Sequence, residues 1–540
     1  MRIPVLRPTK PSQASFLNCD EAHATCYQIL ATDAKYEDLF TLTEKEKKVL
    51  RFMPLATLLP IVVSFYYWWM QYHYLSASDG APPSKVLIAQ RGYVILDMIT
   101  NVPEYVKKIL DASAVAKGTW RPRLRLVGND VPSVDIAIVC CNEDLSVILD
   151  TVRAALNTDW PSDRIRIIVS DDGAQKSVAR GVQRLQEQYP NSHLFYTARQ
   201  RTPANSHKAG NLNHVLEYTA RLPGGQAPFI AGLDADMIPA RHWLRAQLPH
   251  LLGDPKMAFT CPPSCFYNVP MDDPLSQSLF VFHKFEETIK DGAGIAWCTG
   301  SGWVMRRTAL AEIGGFPSQS LTEDILCGNL LIGRDWRSAY VKEELQWGLV
   351  PETYSAHIRQ HYAVNHCKTF LLPKWLGGYP NAFFAKFRST GSLPDELHER
   401  SRLRRASLRE RLRSIMIKDG GSFHLCIALA LVAGIMSNLK TASNLHGLAS
   451  RDAFLYLLPR VLWVTTLWPT YTVAFFQPFY YAICPPTMPD RELLLHRDAA
   501  GVAYPTQRAK NPKSPVRGLG IELVNTVSEL WAIVLLLWFW

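Results

Sequence analysis

The stretch that decides the fold is VDIAIVCCNEDLSVILDTVRAALNTDWPSDRIRIIVSDDG, residues 134–173. It opens on an apolar run, VDIAIVC, that reads as a strand. Apolar residues then recur at helical spacing from Leu145 to Leu156, and IRIIVS is a second strand. Working outward, a helix follows near Val178 to Gln188, then strand HLFYTA, a helix over Lys208 to Thr219, and strand PFIAGLD. Strands alternating with helices predict a parallel, doubly wound α/β sheet. Ligands of such sheets bind beyond the carboxyl ends of the strands. Acidic residues stand at two of those ends: Asp171-Asp172-Gly173 after IRIIVS, and Asp234-Ala235-Asp236 after FIAGL.

Two carboxylates at spacing two on a strand end suit a divalent cation bound to a diphosphate. A lone Asp-x-Asp is more often a turn or solvated surface, and DDG alone is a common turn. Both at successive strand ends of one sheet say more than either does alone. Thr322-Glu323-Asp324 follows the glycine-rich WCTGSGWVMRRTALAEIGGF. Thr before two acids is also what a helix N-terminus asks for, and a helix start can itself present a carboxylate to a cleft.

Outside this middle the chain changes character. MPLATLLPIVVSFYYWWM, Met53 to Met70, is charge-free and ends in an aromatic cluster suited to a membrane interface. Lys45, Lys47, Lys48 and Arg51 precede it, which puts that side in the cytosol. Val86 to Val106 is weakened by Arg91, Asp97 and Pro103, yet basic residues from Lys107 to Arg125 follow it. Two crossings satisfy both basic flanks. Further apolar runs cover Phe423 to Met436, Ala453 to Cys484 and Ile521 to Trp540, while the loop Asp490 to Arg517 is basic. About four to six spans are expected, with the lipid bilayer as a partner and the polar middle in the cytosol. The host membrane could be the plasma membrane, endoplasmic reticulum or Golgi.

Composition agrees with a soluble unit set between hydrophobic ends: of 540 residues, 48% are hydrophobic and 20% charged. The net charge of +10 is concentrated in Arg400 to Lys418, beside an apolar run, and suits an anionic leaflet. No nucleic-acid-binding motif accompanies it. The eleven cysteines show no repeating spacing, as reduced thiols would, and Cys261 and Cys265 lack a second pair at zinc-finger distance. The first forty residues show no cleavable signal peptide.

The order DDG, KAGNLN (Lys208 to Asn213), DAD, TGSG and TED resembles glycosyltransferase family 2, in its cellulose synthase-like branch. The resemblance is close over about Val134 to Phe370 and architectural beyond. It implies a GT-A fold flanked by transmembrane helices, and inverting transfer from a UDP-sugar to a glycan, lipid or small-molecule acceptor. By position, Asn142 and Glu143 would line the nucleotide pocket, Asp171 and Asp172 would contact uracil or ribose, and Lys208 would meet the donor phosphates. Asp234 and Asp236 would hold Mg2+ or Mn2+, and Asp324, within Thr322-Glu323-Asp324, would be the general base. A Gln-x-x-Arg-Trp motif is expected after TED in processive members. Here Gln360-His361-Tyr362-Ala363-Val364 keeps only Gln360, losing a phosphate donor and an aromatic platform for the acceptor sugar.

The implied layout is a cytosolic segment 1–50, one or two spans in 51–108, a catalytic domain 125–390, an interfacial basic segment 391–420, and about three spans in 421–540. Three classes compete: a membrane glycosyltransferase, either polymerising or adding one or a few sugars; a non-catalytic scaffold; and a transporter. Complete DDG, DAD and TED weigh against the scaffold, and only Arg460 stands out as a polar residue for a transport path.

Overall fold

The computed structural model describes residues 27–32, 121–200, 208–269, 277–318 (except 281), 322–351 and 491–506, with isolated positions between 40 and 109 and most of 407–413. The three C-terminal apolar runs and Gln360 lie outside the described residues, and the first two runs contain only isolated described positions. No helix among the described residues is long and apolar enough to cross a membrane.

A short hairpin, β1 (Gln28–Ala31) with β2 (Leu124–Val127), precedes the main unit. Then follow β3 (Val134–Cys140), α1 (Leu145–Leu156), β4 (Ile165–Asp171), α2 (Lys176–Gln188), β5 (Leu194–Thr197), α3 (Lys208–Ala220) and β6 (Phe229–Asp234). Further elements are β7 (Ile238–Pro239), α4 (Trp243–Gly253), β8 (Met257–Cys261), β9 (Cys265–Phe266) and α5 (Glu287–Gly292). The domain closes with β10 (Trp303–Arg306), α6 (Arg307–Glu312), α7 (Glu323–Ile332), β11 (Arg337–Tyr340) and β12 (Gln346–Gly348).

Seven strands form the main sheet in the order β11-β8-β10-β6-β3-β4-β5. β3 is buried throughout because both its faces are covered, which is why it reads as a continuous apolar run. Alternation along the strand sends Val134, Ile136 and Ile138 to a core shared with Ile148 and Val152 of α1 and Val178 and Val182 of α2. It sends Ala137 and Val139 to a second core with Leu212 and Val215 of α3.

One expectation needs correction. The sheet is mixed rather than wholly parallel, because β10 runs antiparallel between β6 and β8. Its Trp303 lies opposite Gly232, where an added Cβ would come within 2.1 Å of the indole. The glycine is therefore what lets this large ring cross the sheet at that point.

Register sets up the site. Val139 pairs with Asp234 and Cys140 with Asp171, so both acidic motifs flank the carboxyl end of β3 in the middle of the sheet. A C-terminal piece, α8 (Arg491–Leu494) with hairpin β13 (Leu495–Arg497) and β14 (Ala503–Pro505), docks on α1. Arg491 and Arg497 both pair with the buried Asp150, and Asn157 donates to the Tyr504 hydroxyl at 2.8 Å. Part of the basic loop Asp490 to Arg517 thus packs on the central domain.

Two buried histidines predict a pH dependence of stability. His283 is 1% exposed, with Nδ1 at 2.6 Å from the Tyr340 hydroxyl and no partner for Nε2 among the described residues. Burial pushes it down to about 3; His250 is held equally low by burial and then by Arg121 and Arg125. Below the ordinary value of 6.5 the unfolded chain takes up protons that the folded chain refuses. Stability should therefore fall as pH drops from 6.5 towards 3, by about 1.4 kcal/mol per histidine per pH unit. Thermal unfolding of the full chain in detergent at pH 7 and pH 5 checks this. His283→Gln should flatten the slope, and an unchanged slope would count against the assignment.

Candidate active site

The site is built where α3, the end of β6, the turn before β10 and the start of α7 meet. Lys208, the first residue of α3, reaches three of these elements. Its Nζ lies 2.6 Å from Asp234 Oδ1 and 3.5 Å from Glu323 Oε1, and donates to the Gly300 carbonyl at 2.9 Å. Burial opposes its charge, but Asp234 and Glu323 outweigh that and hold the ammonium well above its usual range. KAGNLN, DAD, TGSG and TED are separate in sequence and converge on this one ammonium.

Around it negative charge is crowded. Asp236 is half-buried and pushed up to about 7, by desolvation first and the Asp234 charge second. Asp324 is likewise raised to about 7 by desolvation and by Glu323 beside it. Its Oδ1 accepts from Ile325 N–H at 2.8 Å, at the first turn of α7. Gly300 has φ +101°, and an added Cβ would approach Asp324 Oδ2 to 2.9 Å, so the turn presses against this carboxylate. Ser301 fixes the other side, its hydroxyl accepting from Asp234 N–H at 3.0 Å. Thr322 takes the N-cap position of α7, without a side-chain capping bond there. Thr322-Glu323-Asp324 is thus a helix start, and it brings Glu323 to 3.5 Å from Lys208.

The neighbouring strand end is differently used. Asp171 accepts from the backbone N–H groups of Gly173 and Gln175, each at 2.7 Å, and from the Tyr196 hydroxyl at 3.2 Å. Asp172 takes a two-pronged bond from Arg199, at 2.7 and 2.8 Å. Both DDG carboxylates are thus engaged within the protein and shape the loop that borders the site. Glu143 bonds back to Cys141 N–H and is raised by burial, and Asn142 sits in left-handed backbone at φ +68°. Arg199, Gly300 and Ser301 were not assigned from sequence. TGSG was visible as a motif, but nothing in its spacing says which strand end it will touch.

Residues 132–364 match the model of the glycosyltransferase-like family 2. Over these residues the chain is similar to glycosyltransferase family 2. It is similar to cellulose synthase catalytic subunits, UDP-forming, of Komagataeibacter xylinus (33% identical over 240 residues) and Komagataeibacter sucrofermentans (32% over 243). A third, from Pseudomonas fluorescens, is 33% identical over 240 residues. These alignments take in 42–43% of this chain and 30% of each relative. The chain spans less than a third of the length of the cellulose synthases it matches. A mannosyltransferase from Pyrobaculum calidifontis, solved with GDP-mannose and Mn2+, overlays with a TM-score of 0.39 at 16% identity, over 81% of this chain and 99% of the other.

The acids also bear on a metal. Among the described residues no group of three or more His, Cys, Asp or Glu could hold an ion alone. Asp234 and Asp236 supply two hard oxygen donors, which suits Mg2+ or Mn2+ when substrate phosphates and water complete the shell. Asp236 is raised by burial first and by the Asp234 charge second, and a bound cation would offset both.

Proposed function

We propose that the chain is a membrane-bound, metal-dependent inverting glycosyltransferase that moves a sugar from a UDP-sugar to an acceptor hydroxyl. One observation carries the reading: the convergence of Lys208, Asp234, Glu323 and the Gly300 turn, with Asp324 packed against that turn. In the proposed mechanism Asp234 and Asp236 hold the cation. The cation, when bound, neutralises the diphosphate that departs. Lys208 turns from Asp234 towards the donor phosphates. Asn142 and Glu143 line the nucleotide side, with Asp171 and Asp172 shaping its loop, and Gln360 completes the donor set. Asp324, ionised near neutral pH, takes the acceptor proton as the hydroxyl attacks the anomeric carbon. Glu323 beside it keeps that carboxylate basic, and Thr322 sets the start of the helix.

The membrane part rests on the apolar runs and on what the described positions within them present. In 61–69, Val62, Phe65 and Trp69 are 51–62% exposed, and Ile95 and Ile99 are 45% and 57% exposed. Large apolar chains turned outward at helical spacing suit lipid. The layout of 51–108 and 421–540 as membrane regions around a 125–390 domain is part of this reading.

Similarity to cellulose synthases favours a second version, a processive β-glycan synthase. The missing Arg and Trp after Gln360 favour addition of one or a few sugars. Nucleotide release from a panel of UDP-sugars, with products sized by mass spectrometry, separates the two. Release should stop with EDTA, return with Mn2+ or Mg2+, and fall at least about 10²-fold in Asp236→Ala, several kcal/mol of charge stabilisation being removed. Turnover that survives both EDTA and Asp236→Ala would exclude the metal; failure to bind UDP would sink the whole reading.

A further inference from the structure

A second charged concavity lies away from the donor site. It is a cavity of about 120 Å³ at the end of β11, several times the roughly 10–15 Å³ that a single water needs. β11 stands three strands from β6 in the sheet, or about 14 Å along it. Four cationic side chains line the cavity: Lys47, Arg121, Arg123 and Lys342. Among the described residues, Glu343 is the one carboxylate in the lining, and it is taken up by both terminal nitrogens of Arg125. Nearby, Asp291 takes Arg121 and Glu44 takes Lys47.

Two further features point to an anion. His250 lines the cavity at 5% exposure, and its Nε2 has no hydrogen-bond partner among the described residues. A buried ring nitrogen left unbonded costs about 1–3 kcal/mol, which a ligand oxygen would recover. Burial, partly offset by Asp291, together with repulsion from Arg121, Lys47 and Arg123, pushes the Lys342 ammonium down to about 8. Such crowding is relieved by a bound anion.

We propose that this cavity binds a phosphate-class oxyanion, either free phosphate or the phosphodiester of a lipid headgroup. Guanidinium and ammonium groups from separate segments surround the oxygens, and His250 Nε2–H adds a neutral donor. The segments are informative. Lys47 comes from the stretch before the first apolar run, and Arg121 and Arg123 from the stretch after the second. The cavity is therefore walled by the chain on either side of the two proposed crossings, where an anionic headgroup would be within reach. Bound phosphate would tie these stretches to β11 and α4 of the transferase domain.

The test uses the full chain in detergent and inorganic phosphate as probe, at constant ionic strength with chloride as the control anion. Expected are saturable binding by calorimetry and a raised unfolding midpoint. Lys342→Gln and Arg123→Gln should each weaken binding about tenfold, as loss of one charged hydrogen bond implies, while UDP binding persists to show that each variant is folded. The source is separated in bilayer nanodiscs of phosphatidylcholine with or without phosphatidylglycerol. Phosphate binding suppressed by phosphatidylglycerol assigns the site to headgroups; binding indifferent to it assigns the site to free phosphate. No saturable binding with either probe, or equal binding in wild type and both folded variants, would overturn the proposal.

Discussion

Asp324→Asn should lower sugar-transfer turnover by about 10²–10⁴-fold while leaving the donor affinity nearly unchanged, since the change removes a proton acceptor and little else. The amide matches the carboxylate in shape, so the contact with the Gly300 turn and the bond from Ile325 N–H survive. Lys208 keeps Asp234, the Gly300 carbonyl and Glu323 as partners, so its charge also survives. Asp324 is raised to about 7 by burial and by Glu323, which makes it a competent base near neutral pH. Initial rates of nucleotide release, beside calorimetric UDP binding, read the two effects separately. Equal loss of binding and turnover would mean that Asp324 holds the cleft together and is not the base.

Much of this was legible in the sequence, for a physical reason that also marks the limit. β3, β4, β6 and α1 announce themselves because strands covered on both faces must be apolar along their length, and a helix on one face must repeat every three or four residues. The placement of acids at strand ends follows from the same pattern, since β6 ends on Asp234 and β4 on Asp171. Direction is not encoded in that way. WVMR reads as a short apolar piece whichever way it runs, so the antiparallel entry of β10 was invisible, and with it the delivery of TGSG to the end of β6. Nor does local pattern reveal partners far along the chain. Asp172 looks like a ligand-facing acid until Arg199 is seen to clasp it, and Lys208 looks like a phosphate lysine without showing that it already neutralises Asp234.

Asp135 is the extreme case, and it yields the largest expected effect on stability. It sits near the start of β3, the end remote from the site, and is fully buried in a run that otherwise reads as core. Its carboxylate accepts from Arg166 Nε and Arg307 Nη2, both at 2.6 Å, and from Ala227 N–H at 3.0 Å. Arg307 lies 172 residues further on; it is 6% exposed, and its Nε and Nη1 have no partner among the described residues. Asp135→Ala would leave that guanidinium buried without its counter-charge and is expected to cost about 3–5 kcal/mol. A buried pair is not itself strongly stabilising, because desolvating both ions consumes most of the attraction. The double change Asp135→Leu with Arg307→Met should therefore be milder than Asp135→Ala, with a residual cost of about 1–3 kcal/mol because Ala227 N–H and Arg166 lose their acceptor. Thermal unfolding of both forms in detergent decides the matter. A double variant as unstable as the single one would show that the cost lies in the stranded Ala227 N–H and Arg166, or in the lost bond from Arg307 to the Thr219 hydroxyl at 2.9 Å, and not in the unpaired Arg307 charge. Because this cluster stands at the opposite end of the sheet from Lys208, whatever folded fraction remains should bind UDP as the wild type does.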